Sequence, residues 1–298
     1  MLPKLLDPQT LAKVQGLRLR AKHIVEGLIA GSHRSPHRGF SIEFAEHRDY
    51  APGDDLRYLD WKVLGRTDKY YIKQFEDETN LICNLVVDVS ESMRYRGPNT
   101  ALSKLEYAQC LAATISWLIL QQQDAVGLVT FDDQVRSLVP ASGSPVQLQQ
   151  VIEVLQSAES KEKTQIGPLL HELSGRLNRR GLVIVMSDFF DEVDSIMAGL
   201  KHLRYRKHDI ILLQILDPAE LDFPFDRPTM FHGLEAFPEL LADPVSVRKA
   251  YRQEIEAFIT DLRSQSLANQ MDYAQIRTDQ PFDAVLRNFL NHRNARLV

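Results

Sequence analysis

Five oxygen-bearing side chains stand where a divalent cation could be held. Asp88-Val-Ser90-Glu-Ser92 leaves the apolar run Leu81-Ile-Cys-Asn-Leu-Val-Val. Alternate residues leaving a strand can turn toward one point above it, so this stretch offers one carboxylate and two hydroxyls. Ser187-Asp188 ends a second apolar run, Leu182-Val-Ile-Val-Met, with another carboxylate, and Thr164 in Thr-Gln-Ile-Gly puts a hydroxyl just before a helix. Ligands of open α/β sheets sit outside the carboxyl ends of strands where the strand order reverses. Two carboxylates and three hydroxyls, with no imidazole or thiolate, suit Mg2+ or Mn2+ and argue against zinc. A metal site is therefore expected at Asp88, Ser90, Ser92, Thr164 and Asp188. The plainer use of a strand-end Asp or Ser is to cap the helix that follows.

Other chemistries find less support. An Asp at a strand end beside Mg2+ can be the nucleophile of a phosphatase or phosphotransferase, but such sites place a second Asp two residues on, and Ser90 stands there. Glu91, between the two serines, should point away from the metal, which leaves it a poor general base. No Gly-x-Gly-x-x-Gly, Gly-Lys-Ser/Thr or Gly-x-Ser-x-Gly pattern is present. His33, His37 and His47 share a region without zinc spacing, and His171-Glu172 lacks the second histidine of a metalloprotease helix. Arg176-Leu-Asn-Arg179-Arg180 is basic but short and at a helix end, where cations are favoured anyway. The cluster Asp54, Asp55, Arg57, Asp60 and Trp61 reads as an ion-paired turn with a packed indole, or else as a docking surface.

The elements that must position these residues follow from periodicity. Apolar residues at Leu11, Val14, Leu17, Ala21, Ile24, Val25 and Leu28 predict an amphipathic helix ended by Gly31. Ser41-Ile-Glu-Phe-Ala-Glu, Asp60 to Leu64 and Tyr70 to Phe75 read as short strands around a Pro-Gly-Asp-Asp turn. After the polar stretch Glu76 to Asn80 the pattern changes. Strands are expected at 81–89, 125–131, 135–139, 182–187, 210–216 and 271–276. Helices are expected at 101–122, 145–157, 166–177, 193–204, 243–267 and 282–291. The tight Asp132-Asp133 turn makes two of the strands antiparallel. The alternation of the others with helices predicts a doubly wound, mostly parallel sheet with an antiparallel edge strand. Two domains result, a helix with a small β-rich module over 1–79 and the α/β domain over 80–298, with a Pro-rich insertion near 217–240.

Composition narrows the class. The chain has 298 residues, enough for one large or two ordinary domains, and 44% hydrophobic with 25% charged residues is the balance of a soluble globular protein. A net charge of −5 supplies no basic field for nucleic acid. The apolar stretch Cys110 to Leu120 is too short for a membrane span, and the N-terminus lacks an export signal, so a cytoplasmic protein is expected. Cys83 and Cys110, both within apolar segments, read as reduced buried thiols.

Asp88-x-Ser90-x-Ser92, Thr164 and Asp188 together resemble the metal-ion-dependent adhesion site of von Willebrand factor A domains, over roughly 81–216. The upstream residues are more specific: Arg38-Gly-Phe-Ser-Ile-Glu-Phe, Tyr50-x-Pro-Gly-Asp-Asp-Leu-Arg57, Asp60-Trp61, Arg66-Thr67 and Phe75-Glu-Asp-Glu78. They are similar to a bacterial family of unknown function, found beside MoxR-type AAA+ ATPases, that carries an A-like domain. The resemblance implies that Ser90, Ser92 and Thr164 approach the metal directly, that Asp88 and Asp188 hold it largely through water, and that a partner's carboxylate completes the shell. It also implies a non-catalytic adaptor or co-factor of a MoxR-type AAA+ ATPase. A phosphatase using Asp88, or a structural A-like domain with an empty site, are the alternatives. Lys161-Glu-Lys163 stands where glycines commonly precede the threonine.

Overall fold

Runs of β-branched and leucine side chains that are apolar on both faces can be buried only inside a sheet covered twice, and the computed structural model shows that arrangement. It describes residues 8–9, 16–31, 46–49, 63, 65–66, 70–74, 81–158, 166–177, 179–231, 240–282 and 285–286. Two compact units are present, Met1–His33 with Leu81–Val298, and Arg34–Asn80. In the smaller unit β1 (Glu46–Asp49) pairs antiparallel with β2 (Tyr71–Gln74). The Ser41-Ile-Glu-Phe-Ala stretch and the Asp54, Asp55, Arg57, Asp60, Trp61 cluster lie outside the described residues.

The larger unit is built on β3 (Ile82–Asp88), β4 (Ala125–Phe131), β5 (Val135–Ser142), β6 (Leu182–Ser187), β7 (Asp209–Leu216) and, further along the chain, β10 (Asp272–Arg277). Their order is β10-β7-β6-β3-β4-β5. Every neighbouring pair is parallel except β4 with β5, which closes one edge antiparallel. The fold is thus the expected mixed α/β sheet. From β3 the chain moves outward to β4 and β5, then returns to β6 on the other side of β3 and continues outward to β7. The order therefore reverses between β3 and β6, and the crevice beyond their C-terminal ends is where such sheets bind ligands.

Side chains alternate between two cores, as the two-residue period of a strand requires. Cys83, Leu85 and Val87 of β3, with Ile184 and Met186 of β6, pack on α1 (Leu17–Gly31), α2 (Lys104–Gln121) and α3 (Gln147–Gln156). Val86, Val183 and Val185 face the opposite layer, α4 (Ile166–Arg176), α5 (Val193–Tyr205) and, through Leu262, the long α7 (Pro244–Ala268). Leu17, Ala21 and Ile24 of α1 are buried in the first core, so this helix belongs to the larger unit.

The Pro-rich insertion contains more structure than its composition suggests. Asp217 and Glu220 form a capping box around the short helix α6 (Pro218–Asp222), and β8 (Thr229–Phe231) pairs with β9 (Leu240–Ala242). Asp217 also accepts hydrogen bonds from Gly97 N (2.9 Å) and Thr100 Oγ1 (2.9 Å), pinning the β3–α2 loop to the end of β7. A Cβ on Gly97 would overlap that carboxylate. Of the closing helix expected over 282–291, residues 282 and 285–286 are described and are helical. Cys83 and Cys110 are buried, as expected, and no disulfide joins them. Among the described residues no helix is long and apolar enough to cross a membrane.

Candidate functional site

Asp88 is the last residue of β3 and is completely buried. Its Oδ1 accepts a hydrogen bond from Ser90 N at 2.9 Å, which curls the chain so that the Ser90 and Ser92 hydroxyls stand 3.1 Å apart. A short 3-10 turn, Ser92–Arg94, then carries the chain away. Across the crevice β6 pairs with β3 in a register that brings Val87 opposite Met186, so the next residue of each strand, Asp88 and Ser187, are also neighbours. Ser187 Oγ donates to Asp88 Oδ2 at 2.5 Å.

Asp188, one residue further, is 2% exposed. Its Oδ1 accepts from Phe190 N at 3.2 Å and its backbone carbonyl from Gln214 Nε2 at 2.9 Å. The chain turns sharply here because Phe189 adopts a left-handed conformation, φ 59°, which is uncommon without glycine and is held by a hydrogen bond from Phe189 N to Ser187 Oγ. Asp191 follows and accepts from Ile166 N at 2.9 Å, tying the start of α4 to the Asp188 loop. Thr164, two residues before α4, lies outside the described residues. Four of the five expected site residues are therefore described. Asp88, Ser90 and Ser92 leave β3 together, and Asp188 leaves the neighbouring strand.

Among the described residues, positive charge is supplied at the Asp188 end of the site, by Lys104. Burial, and next the charge of Asp188, push the Asp88 carboxyl up to about 7, against the opposing hydrogen bonds from Ser187 and Ser90. Asp188 faces a cation that sequence reasoning missed. Lys104 Nζ, wholly buried, lies 2.8 Å from Asp188 Oδ2 and 2.6 Å from Glu220 Oε1, with the Phe190 ring 5.1 Å away. Burial alone would lower the lysine's pKa, but the two carboxylates outweigh it and the net shift is upward. Glu220 is raised by burial, with Lys104 opposing. The sequence marks only the helix start, through the capping box of Ser103 and Glu106; it puts Lys104 at the end of the helix dipole that repels cations but says nothing of its burial.

The donors around Asp88 fit a hard cation. Two carboxylates, Asp88 and Asp188, and the hydroxyls of Ser90, Ser92 and Ser187 stand at these strand ends, all oxygen, and among the described residues Asp88 has no ion-pair partner. Among the described residues no group of three or more His, Cys, Asp or Glu side chains forms a metal cage, so hydroxyls would have to complete any shell. Both Asp88 oxygens already accept hydrogen bonds, Oδ1 from Ser90 N and Oδ2 from Ser187 Oγ.

Sheet order and site together define a doubly wound α/β module with a carboxylate and hydroxyl crevice at its switch point. The chain belongs to the protein family of unknown function DUF58, whose pattern matches residues 46–263. The "Uncharacterized protein Rv1480" of Mycobacterium tuberculosis is 25% identical over 292 residues, 96% of this chain and 90% of that one. The "Uncharacterized protein Mb1516" of Mycobacterium bovis matches to the same extent. Among solved structures, an aerotolerance-related membrane protein from Bacteroides fragilis is similar at a TM-score of 0.47 and 15% identity, over 71% of this chain and 99% of that one. The protein BatB from Bacteroides thetaiotaomicron gives 0.45 and 15%, over 71% and 98%. The SpRpn10 VWA domain gives 0.38 and 12%, over 70% and 95%.

Proposed function

We propose that this chain is a non-catalytic protein-binding module that grips an acidic residue of its partner through Mg2+ or Mn2+ held by Asp88, Ser90, Ser92, Thr164 and Asp188. The observation that carries the reading is the buried Asp88 carboxylate beside the converging Ser90 and Ser92 hydroxyls, in the crevice where the strand order reverses. Asp88 and Asp188 supply the charge and the hydroxyls supply neutral oxygens. The bound ion supplies a Lewis-acidic seat for one further carboxylate. Its partner is a MoxR-type AAA+ ATPase, a proposal that rests on the resemblance of the upstream motifs.

The test is binding and turnover measured on the same preparations. Wild type should bind Mn2+ by titration calorimetry and retain a MoxR-type ATPase in a pulldown. Asp88→Ala, or chelator, should weaken both. Asp88→Ala and Asp188→Ala variants that bind Mn2+ as well as wild type would show the site to be misplaced. Aryl phosphate and nucleotide hydrolysis should stay at background with either ion. Phosphatase activity that disappears in Asp88→Asn would replace the binding module with the enzyme.

A further inference from the structure

Lys104 stands out because its ammonium is buried completely and spent on carboxylates from two other parts of the chain. A lysine is rarely buried without such partners, and this one is drawn in from the N-terminal turn of α2, where its own helix dipole opposes it. The Phe190 ring covers it at 5.1 Å. Asp188 and Glu220 are not neighbours in the chain, and the ammonium is what joins them. Glu220 is itself held in place, its Oε2 accepting from Asp217 N at 2.7 Å.

We propose that Lys104 is the built-in monovalent cation of the Asp88–Asp188 crevice: it keeps Asp188 placed when no divalent ion is bound and, by repelling a second cation, sets the crevice's affinity for divalent ions low. The charges behave accordingly. Asp88, Asp188 and Glu220 with all three carboxylates ionised carry three negative charges, and Lys104 returns one. Removing Lys104 makes the crevice more attractive to a dication, and neutralising Glu220 makes it less so. A crevice that stands assembled without metal can then wait for a partner's carboxylate to make occupancy favourable. This inference rests on the metal-dependent reading proposed above, and it adds that the ion is recruited conditionally.

Mn2+ titration of the full chain, by calorimetry and by loss of the free-ion electron paramagnetic resonance signal, tests it. Lys104→Met should bind Mn2+ about tenfold more tightly than wild type. It should also melt lower than wild type in chelator and recover much of that loss in Mn2+, because the ion replaces the missing charge. Glu220→Gln should shift affinity the other way, binding several-fold more weakly. A lysine that served packing alone would weaken binding in both variants, since each would loosen Asp188. If Lys104→Met binds no tighter than wild type, or Glu220→Gln no weaker, while Asp88→Ala abolishes binding, the role of Lys104 is refuted and the metal site stands. If wild type and both variants all fail to bind Mn2+, the metal site itself is refuted, and this inference with it. Should Lys104→Met fail to fold, Lys104→Gln, which keeps the length and a hydrogen-bond donor but no charge, decides in the same way: tighter Mn2+ binding than wild type supports the proposal, and equal or weaker binding refutes it.

Discussion

Asp88 brings a carboxyl of ordinary pKa 3.8 into a site that pushes it up to about 7, through burial first and the neighbouring Asp188 charge second. A carboxyl whose folded value lies above its unfolded one contributes most below the unfolded value, here below about pH 4. That contribution is lost as pH rises through the folded value near 7. Metal-free wild type should therefore lose stability between about pH 4 and 7, by roughly 3 to 4 kcal/mol at most from this one group. Asp88→Asn, which stays neutral, should lack this component. Denaturant unfolding of both proteins in chelator at pH 5 and pH 8 measures it. Equal pH dependence in the two proteins would mean that Asp88 is not held in a charge-poor environment.

At the scale of elements, the crevice depends on how closely helices and loops approach it. Gly167 in the first turn of α4 is packed so tightly on α5 that a Cβ would lie 2.1 Å from Ser195 Oγ and 2.6 Å from Ser195 O. The backbone contact cannot be relieved by rotating a side chain. Gly167→Ala should force α4 away from α5 and cost about 1 to 3 kcal/mol by denaturant unfolding. Because Ile166 N is bonded to Asp191, three residues past Asp188, the same substitution should also weaken Mn2+ binding. An unaltered stability would show that the two helices separate without strain. The capping box of Ser103 and Glu106 anchors α2 in a comparable way, and Ser103→Ala should cost about 1 kcal/mol.

At the scale of the whole molecule, a ligand that binds only the folded state stabilises it in proportion to the logarithm of its concentration over Kd. Mn2+ at a hundredfold excess over Kd should add about 2.7 kcal/mol to wild type and raise its Tm in a concentration-dependent way. Asp88→Ala should show no such rise. Calorimetric melts across a Mn2+ series check this, and a rise of equal size in both proteins would place the binding elsewhere. The two cores on either face of the sheet make the gain global, since β3 and β6 contribute to both.

The architecture was legible because its signals are local. Strands apolar on both faces and helices at 3.6-residue spacing repeat over many residues, and a tight three-residue turn, Asp132 to Gln134, joins β4 to β5, so small errors at element ends leave the topology unchanged. The placement of Asp88, Ser90, Ser92 and Asp188 at adjoining strand ends was legible too, because a strand end next to a loop is a place that the alternation itself marks. The Lys104, Asp188 and Glu220 cluster was not. Its members lie 84 and 116 residues apart in the chain from Lys104, and the first turn of a helix ordinarily turns a lysine toward solvent. Nor did the Pro-rich composition after Asp217 announce a helix that presents Glu220 to that lysine. Chain order and hydropathy thus determined the six strands of the main sheet, though not β8, β9 or the helical Val63 within the strand expected at Asp60 to Leu64. Only the packed structure decided which charges meet at the strand ends, because a buried ion pair depends on distances through space that no local pattern encodes.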